Sequence, residues 1–343
     1  MTELDAILSK MNKSMKVGSI KVGVEYEDVP KLPFSSMRLN YMTYGGIPLG
    51  RIVEFAGGEG GGKTTTALDL AAQAQKLYPD KKVVFCDIEH TFDTVWATKL
   101  GVDIDSLVYF DPDTMGAEEV FQYALDIMDT GEVSLFIMDS LGAMVSDLEN
   151  EKEVGERTYG GISMALTTFS KKAIPVCQRT KCIFLAINQI REDMNSTYGG
   201  TRTVGGRAWR HNCSTRLSFR LGEYIDDKGG KLTRGCENPA GNLVYVNLVK
   251  TKVCPPDRKV GFYTLNYMDG IDFISDTLDL AIKYDVVHQA GAFYSIVDIS
   301  TGEILTNGEE TLKFQGKAKI LDYLRAHSDI YEWVVAQVEK AVN

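Results

Sequence analysis

The chain has no run of about 18 uninterrupted apolar residues, the length a membrane-spanning helix needs. Its opening, MTELDAILSKMNKSMK, lacks the apolar middle of a secretory signal. A cytoplasmic protein without membrane association is expected. Cysteine is scarce and badly spaced for metal or disulfide chemistry: Cys86, Cys177, Cys182, Cys213, Cys236 and Cys254 never form C-x-x-C. Several sit in apolar runs, as buried free thiols do. Short-period repeats and long low-complexity segments are missing too, which argues against a solenoid or a disordered chain. Positive charge is in deficit, with 37 Lys and Arg against 47 Asp and Glu and a net charge of −10.

What the chain does have is length and apolar content. At 343 residues and 44% hydrophobic it can bury a large core. Its charge is also unevenly spread. From Lys171 to Arg216 there are nine Lys and Arg against two acids, a local charge of +7. An island of that kind within an acidic chain points to a polyanion partner.

The stretch Arg51 to Leu70, RIVEFAGGEGGGKTTTALDL, organises the rest. It fits G-x-x-x-x-G-K-[ST], with Gly57 and Gly62 as the fixed glycines, followed by Lys63 and Thr64. Glycines at Gly57, Gly58, Gly60, Gly61 and Gly62, with Glu59 among them, let backbone N–H groups turn inward around phosphate oxygens. Lys63 can then reach the outer phosphates, and the hydroxyl of Thr64, beside Thr65, can hold Mg²⁺. The apolar run Ile52 to Phe55 before the turn and the helical composition after it supply the context this motif requires.

Apolar runs alternate with helical segments from about residue 34 to residue 269. Strand-like runs fall at Ile52 to Phe55, Val83 to Cys86, Leu107 to Phe110, Leu135 to Met138, Cys182 to Ile187 and Thr215 to Leu221. This rhythm predicts an α/β fold: a P-loop NTPase core with a doubly wound, mostly parallel sheet. Leu243 to Lys252 and Gly261 to Tyr267 read as further strands, antiparallel ones. Residues 1–33 read as an amino-terminal helix and arm, residues 34–269 as the core, and residues 270–343 as a small α+β lobe of net charge −6. In the lobe a helix at 276–284, a turn at 300–302 and a helix near 317–326 are expected.

Three of the strands end in chemistry. Leu135 to Met138 runs into Asp139, which beside the P-loop places a carboxylate near the metal. Val83 to Cys86 runs into Asp87-Ile88-Glu89-His90, and Glu89 is the candidate to polarise a water attacking the γ-phosphate. Ile183 to Ile187 runs into Asn188-Gln189, where the neutral amide of Gln189 can detect the γ-phosphate and shift when it leaves.

GGEGGGKTT, DIEHTFD, FIMDS, NQIR, the GGRAWR segment and NLVKTK occur in the order and approximate spacing of the bacterial RecA recombinase family, which this chain resembles over nearly its whole length. The resemblance implies a RecA-like core and an ATP-dependent recombinase working with ATP and Mg²⁺. Such a protein forms a helical homo-oligomeric filament on single-stranded DNA, engages duplex DNA during pairing, and hydrolyses ATP at subunit interfaces. It gives Glu89 the water-activating role, Gln189 that of the γ-phosphate sensor, and Asp93 and Trp96 the contacts to adenine. Lys250 and Lys252 take the part of two lysines that reach the neighbouring subunit's ATP.

By the same resemblance, Glu149 to Gly161 with Tyr159 is a first DNA loop, and Glu192 to Gly206 with Met194 and Tyr198 a second. A 15-residue polar connection is long for a compact domain, which favours function. Lys171, Arg191, Arg207 and Arg210 from the basic island can neutralise phosphates, and the N–H groups of Gly205 and Gly206 can bind one. Tyr159 or Met194 can stack on or wedge between bases.

Two of the chain's departures from the family bear on DNA. Acids Glu192 and Asp193 open the second loop, and Tyr245-Val246-Asn247 stands where the family carries basic residues for incoming DNA, leaving Arg220 nearby. These changes bear on strand exchange more than on ATP-dependent DNA binding. Two alternatives therefore stay open: a regulatory filament protein that binds DNA without exchanging strands, and a helicase or motor on the same core.

Overall fold

The apolar run before the glycine turn becomes the middle of a ten-stranded sheet. The computed structural model describes residues 2, 6–7, 10–11, 29–150, 161–192, 201–227, 230–233, 235–308 and 310–342. Lys31–Asn343 forms one compact unit and Met1–Pro30 another. The amino-terminal helix expected within residues 1–33 lies mostly outside the described residues.

Two short strands, β1 (Lys31–Leu32) and β2 (Ile47–Pro48), pair at the entrance to the larger unit. The main sheet is built from β3 (Ile52–Gly57), β4 (Lys82–Asp87), β5 (Val108–Phe110), β6 (Val133–Asp139), β7 (Ile183–Glu192), β8 (Thr201–Thr203), β9 (Thr215–Ile225), β10 (Gly241–Thr251), β11 (Val260–Asn266) and β12 (Gly270–Ile271). Its order is β12-β11-β10-β9-β3-β7-β6-β4-β5, with β8 hung on β7. From β9 to β5 the pairs are parallel, and β10, β11 and β12 continue antiparallel. All residues of β3 and β6 are buried, as parallel strands covered on both faces must be, whereas β10 and β11 largely alternate buried with half-buried positions.

Helices cover both faces. One face carries the helix Lys63–Leu77, whose Ala67, Ala71 and Ala74 let it lie close on Val53, Phe55 and Leu185. The other carries Ala117–Asp129, Gly161–Thr180 and Gly206–Asn212 over Phe136 and Phe184. This is the doubly wound α/β core expected from the sequence, with its antiparallel extension.

The carboxyl end is the small α+β lobe. The helix Phe273–Lys283 starts on an Asp272 cap and packs with β13 (Val287–Ala290), β14 (Phe293–Ile296) and β17 (Lys313–Gln315). Between the last two, β15 (Thr306–Asn307) and β16 (Glu310–Thr311) form a hairpin. The helix Lys317–Ala326 falls where its pattern predicts. The final helix, Ser328–Val342, was not anticipated, although Ile330, Val334 and Val338 carry the four-residue spacing of an apolar stripe.

The lobe is tied to the core through a buried carboxylate. Asp276 on the lobe helix accepts a hydrogen bond from Ser36 Oγ and lies 3.4 Å from the Arg38 guanidinium, which also pairs with Asp279. Burial pushes the Asp276 carboxyl up to about 7. The folded chain then holds this proton more tightly than the unfolded chain, whose Asp titrates near 4, so stability falls as pH rises between those values. Asp276→Asn removes that contribution. Its stability relative to the parent is expected to climb between pH 4 and 7, by at most about 1.4 kcal/mol per pH unit, in urea unfolding followed by tryptophan fluorescence. A flat difference contradicts the burial argument.

Candidate active site

The P-loop geometry follows from three constraints. β3 ends at Gly57, where a Cβ would meet the Phe219 carbonyl oxygen at 2.4 Å, so a side chain is excluded by the neighbouring strand. The turn needs left-handed backbone at Gly60 and Gly62, with φ of 64° and 88°. Gly62 is then the N-cap of Lys63–Leu77 and offers no side chain to its first N–H groups, which leaves them open toward the turn. Behind it the Tyr263 hydroxyl, fully buried, meets Thr66 Oγ1 at 2.8 Å and donates to the Gly62 carbonyl at 3.3 Å.

The side chains that face this turn arrive from separate strands. Thr64 Oγ1 donates to Asp139 Oδ2 at 2.6 Å, joining the helix start to the end of β6. Burial pushes the Asp139 carboxyl up to about 6, against the pull of the Thr64 hydrogen bond and of Lys63. Lys63 Nζ folds back onto the Gly58 carbonyl at 2.7 Å, and burial lowers its pKa despite nearby Asp139, Glu89 and Glu59. Asp139 and Thr64 are hard oxygen donors side by side, a pair that fits Mg²⁺, which keeps waters and takes its remaining ligands from phosphates.

Glu89 sits two residues beyond β4. Its Oε1 accepts from Gln189 Nε2 at 2.7 Å and from Ser140 Oγ, so the candidate base and the candidate sensor touch. Asp87 holds the intervening loop, accepting from the Thr91 and Phe92 N–H groups at 3.2 and 2.9 Å and from the Tyr109 hydroxyl at 3.1 Å. Sequence reasoning passed over Asp87 and Ser140, although both end apolar strands. Asp93 caps the helix Thr94–Lys99 through bonds from Val95 and Trp96 N–H, and the Trp96 indole reaches Thr65 Oγ1 at 3.4 Å.

A cavity of about 330 Å³ opens on the turn, lined by Gly60 to Thr65 and by Leu221, Tyr224, Asn242, Leu265 and Tyr267. Those last five come from β9, β10, β11 and the residue after it. No strand-end signal marks them: Leu221 and Tyr224 lie where β9 runs on past the end of β3, and Asn242, Leu265 and Tyr267 reach the turn through the antiparallel pairing of β10 and β11. The Tyr267 hydroxyl donates to Asn242 Oδ1 at 2.8 Å, which fixes its ring beside the cavity.

Lys250 and Lys252 do not join this crevice. Lys250 lies opposite Arg216 and Lys252 just past the Thr251–Thr215 pair, toward the opposite end of β3, and they donate to the carbonyls of Arg210 and His211 at 2.7 to 2.8 Å. Within one chain they cap the helix Gly206–Asn212.

Of the expected nucleic-acid contacts, Tyr159, Met194 and Tyr198 lie outside the described residues, and Arg191 is described only as backbone on β7. The second connection is not loop throughout: β7 runs on to Glu192 and pairs with β8, Arg191 opposite Arg202. The continuing ladder satisfies backbone groups that a loop would leave to water. Beyond β8, Gly205 and Gly206 adopt φ of 101° and 68° and line a cavity of about 270 Å³ with Thr203, Ser163 and Arg210. Arg207 is exposed on the same helix and Lys171 on Gly161–Thr180.

The turn geometry makes a substitution test. Gly62→Ala puts a Cβ at positive φ, 2.8 Å from the Tyr263 hydroxyl, and is expected to cost about 1–3 kcal/mol of stability. Gly58→Ala meets nothing within 4 Å and is expected to change stability by less than about 0.5 kcal/mol. Urea unfolding of the two variants checks the contrast, and equal losses contradict it.

Comparison with known proteins is consistent along the chain. The RecA N-terminal domain family matches residues 2–272. The RecA protein of Ruminococcus albus is 34% identical over 346 residues, spanning 99% of this chain and 79% of its own. That of Lactobacillus acidophilus is 34% identical over 342 residues, 98% of this chain and 87% of its own. That of Fusobacterium nucleatum is 34% identical over 315 residues, 91% and 76% respectively.

Proposed function

The chain belongs to the RecA recombinase family, and from that premise we propose that it is an ATP-dependent recombinase that assembles as a helical filament on single-stranded DNA. Members of the family are in general DNA-dependent ATPases that use ATP with Mg²⁺. Among the described residues no helix is long and apolar enough to cross a membrane. A cytoplasmic site of action fits the reading.

The observation that carries the proposal is the hydrogen-bonded set Glu89, Gln189 and Ser140 beside the Thr64–Asp139 pair. The N–H groups of the turn and Lys63 hold the phosphates. Thr64 and Asp139 would hold Mg²⁺, which when bound would supply charge neutralisation at the phosphates. Glu89 orients and polarises the attacking water, with Ser140 and Gln189 fixing its carboxylate. A γ-phosphate competes for the Gln189 amide, so binding and hydrolysis alter the partner of a residue on β7, the strand that pairs with β8 within the basic island. Asp93 and Trp96 contact the adenine, with Tyr267 at the cavity wall.

Lys250 and Lys252 lie too far along the sheet to serve their own turn. Their cations act on a neighbouring subunit's ATP, which makes assembly and hydrolysis one event. Lys171, Arg191, Arg207, Arg210, Gly205 and Gly206, with Tyr159, Met194 and Tyr198, form the DNA face. Homologous pairing and strand exchange follow when duplex DNA enters the filament.

A second reading has one observation in its favour. Where the family carries basic residues for incoming DNA, Tyr245 stacks under Arg220 at 4.8 Å and donates its hydroxyl to Glu223 at 3.0 Å. That surface offers little free positive charge, which favours a filament that coats DNA without exchanging strands.

Lys63→Ala is expected to lower ATP hydrolysis about 10²-fold or more and to abolish ATP-dependent retention of a labelled oligonucleotide. Retention that still rises with ATP in this variant refutes the assigned site.

A further inference from the structure

Glu54 sits on β3, three residues before the turn, and its side chain has no exposed surface. A buried carboxylate must be matched donor by donor. Its Oε1 accepts from Asn188 Nδ2 on β7 at 2.8 Å and from the Trp209 indole N–H at 2.7 Å, and its Oε2 takes the Arg216 guanidinium from β9. Two of these donors reach onward to the end of β8 and the residue after it. Asn188 Nδ2 also donates to the Val204 carbonyl at 3.0 Å, and Arg216 Nη2 to Thr203 Oγ1 at 3.3 Å. One buried charge thus joins the P-loop strand, the sensor strand, β8 and the helix that starts at Gly206.

The placement has a mechanical consequence. Asn188 and Gln189 are successive residues of one strand, so their side chains leave opposite faces. Gln189 faces Glu89 and the nucleotide turn, and Asn188 faces Glu54 and Val204. Any shift of the backbone at Gln189 moves the Asn188 amide. Asn188 Oδ1 is buried with no partner among the described residues, so the side chain is held through its nitrogen alone. Trp209 fills the space beside Gly205, where a Cβ would meet its side chain at 2.9 Å, so the indole that binds Glu54 also sets the path of the Gly205–Gly206 turn.

We propose that Glu54, with Arg216 and Trp209, is a positioning residue that carries a displacement of β7 at Gln189 to β8 and the Gly205–Gly206 turn. The inference rests on the reading of Gln189 as the γ-phosphate sensor and of the turn as part of the DNA face. Glu54 touches neither nucleotide nor DNA; it acts through the elements it holds together. A merely structural ion pair lowers the unfolding midpoint when broken and leaves the nucleotide response of the turn in place.

The test is hydrogen exchange by mass spectrometry on the full chain without DNA, comparing Mg-ADP with a slowly hydrolysed Mg-ATP analogue. In the parent, peptides covering residues 201–212 are expected to exchange differently in the two states. Glu54→Gln keeps the shape without the charge, and Thr203→Val is near-isosteric at the half-buried end of the network. Both are expected to bind the analogue within about threefold of the parent and to lose most of the exchange difference, in line with the usual size of coupling between linked sites. If Glu54→Gln does not fold, Thr203→Val decides. The proposal is overturned if folded variants keep the full difference, or if a parent that binds both nucleotides shows none. A parent that binds neither nucleotide contradicts the functional reading and this inference with it. An exchange difference in a parent whose hydrolysis ignores DNA supports the inference and contradicts only the DNA reading.

Discussion

The parallel, in-register pairing of β4, β6, β7 and β3 is the constraint on which the site depends. Asp87 lies opposite Asp139, Met138 opposite Ala186, and Gly57 opposite Gln189, so β3, β4 and β6 end at nearly one level beside Gln189 of β7. Ligands of open α/β sheets bind outside the carboxyl ends of the strands, and this levelling is why. Glu89, Ser140 and Gln189 are far apart in sequence and meet because β4 and β6 stop close to the level of Gln189, while β7 runs on to pair with β8. A one-residue slip in any pair would turn that strand's side chains to the other face. The helices on the two faces, by burying every residue of β3 and β6, hold the register fixed.

The same sheet separates the glycine turn from the lysine pair. Its parallel part presents the turn, the carboxylates and the Gln189 amide at one end. The antiparallel part does two other things: it walls the cavity at the turn with Leu265, Asn242 and Tyr267, and it carries Lys250 and Lys252 away toward the other end. Charge follows this division. The overall excess of acid coexists with the positive stretch from Lys171 to Arg216, and the buried Glu54 anchors that stretch to the strand before the turn. Low local dielectric makes such a network stiff when every donor is matched and costly when one is missing.

Most of the core was legible in the residues because parallel strands announce themselves. Buried on both faces, β3 and β6 read as apolar runs; all six predicted runs became strands, including the exposed edge strand β5 and the alternating β9. Asp139, Glu89 and Gln189 were legible for the same reason, as polar residues that stop such runs. Tyr267 and Asn242 were not, since their approach to the turn depends on β10 and β11 folding back beside β9. The continuation of β7 into a ladder with β8 was hidden by polar composition, where strand and loop look alike. Glu54 gave no signal at all: a lone acid in an apolar strand is conspicuous only once Asn188, Trp209 and Arg216 are seen to converge on it.

The central claim is that nucleotide chemistry at the turn is coupled to DNA held by the basic island. ATP hydrolysis measured with and without single-stranded DNA, across a salt series, tests it most directly. The account predicts strong stimulation by DNA that fades as salt rises, because phosphate neutralisation releases counterions. Hydrolysis that is indifferent to DNA at every salt concentration contradicts it.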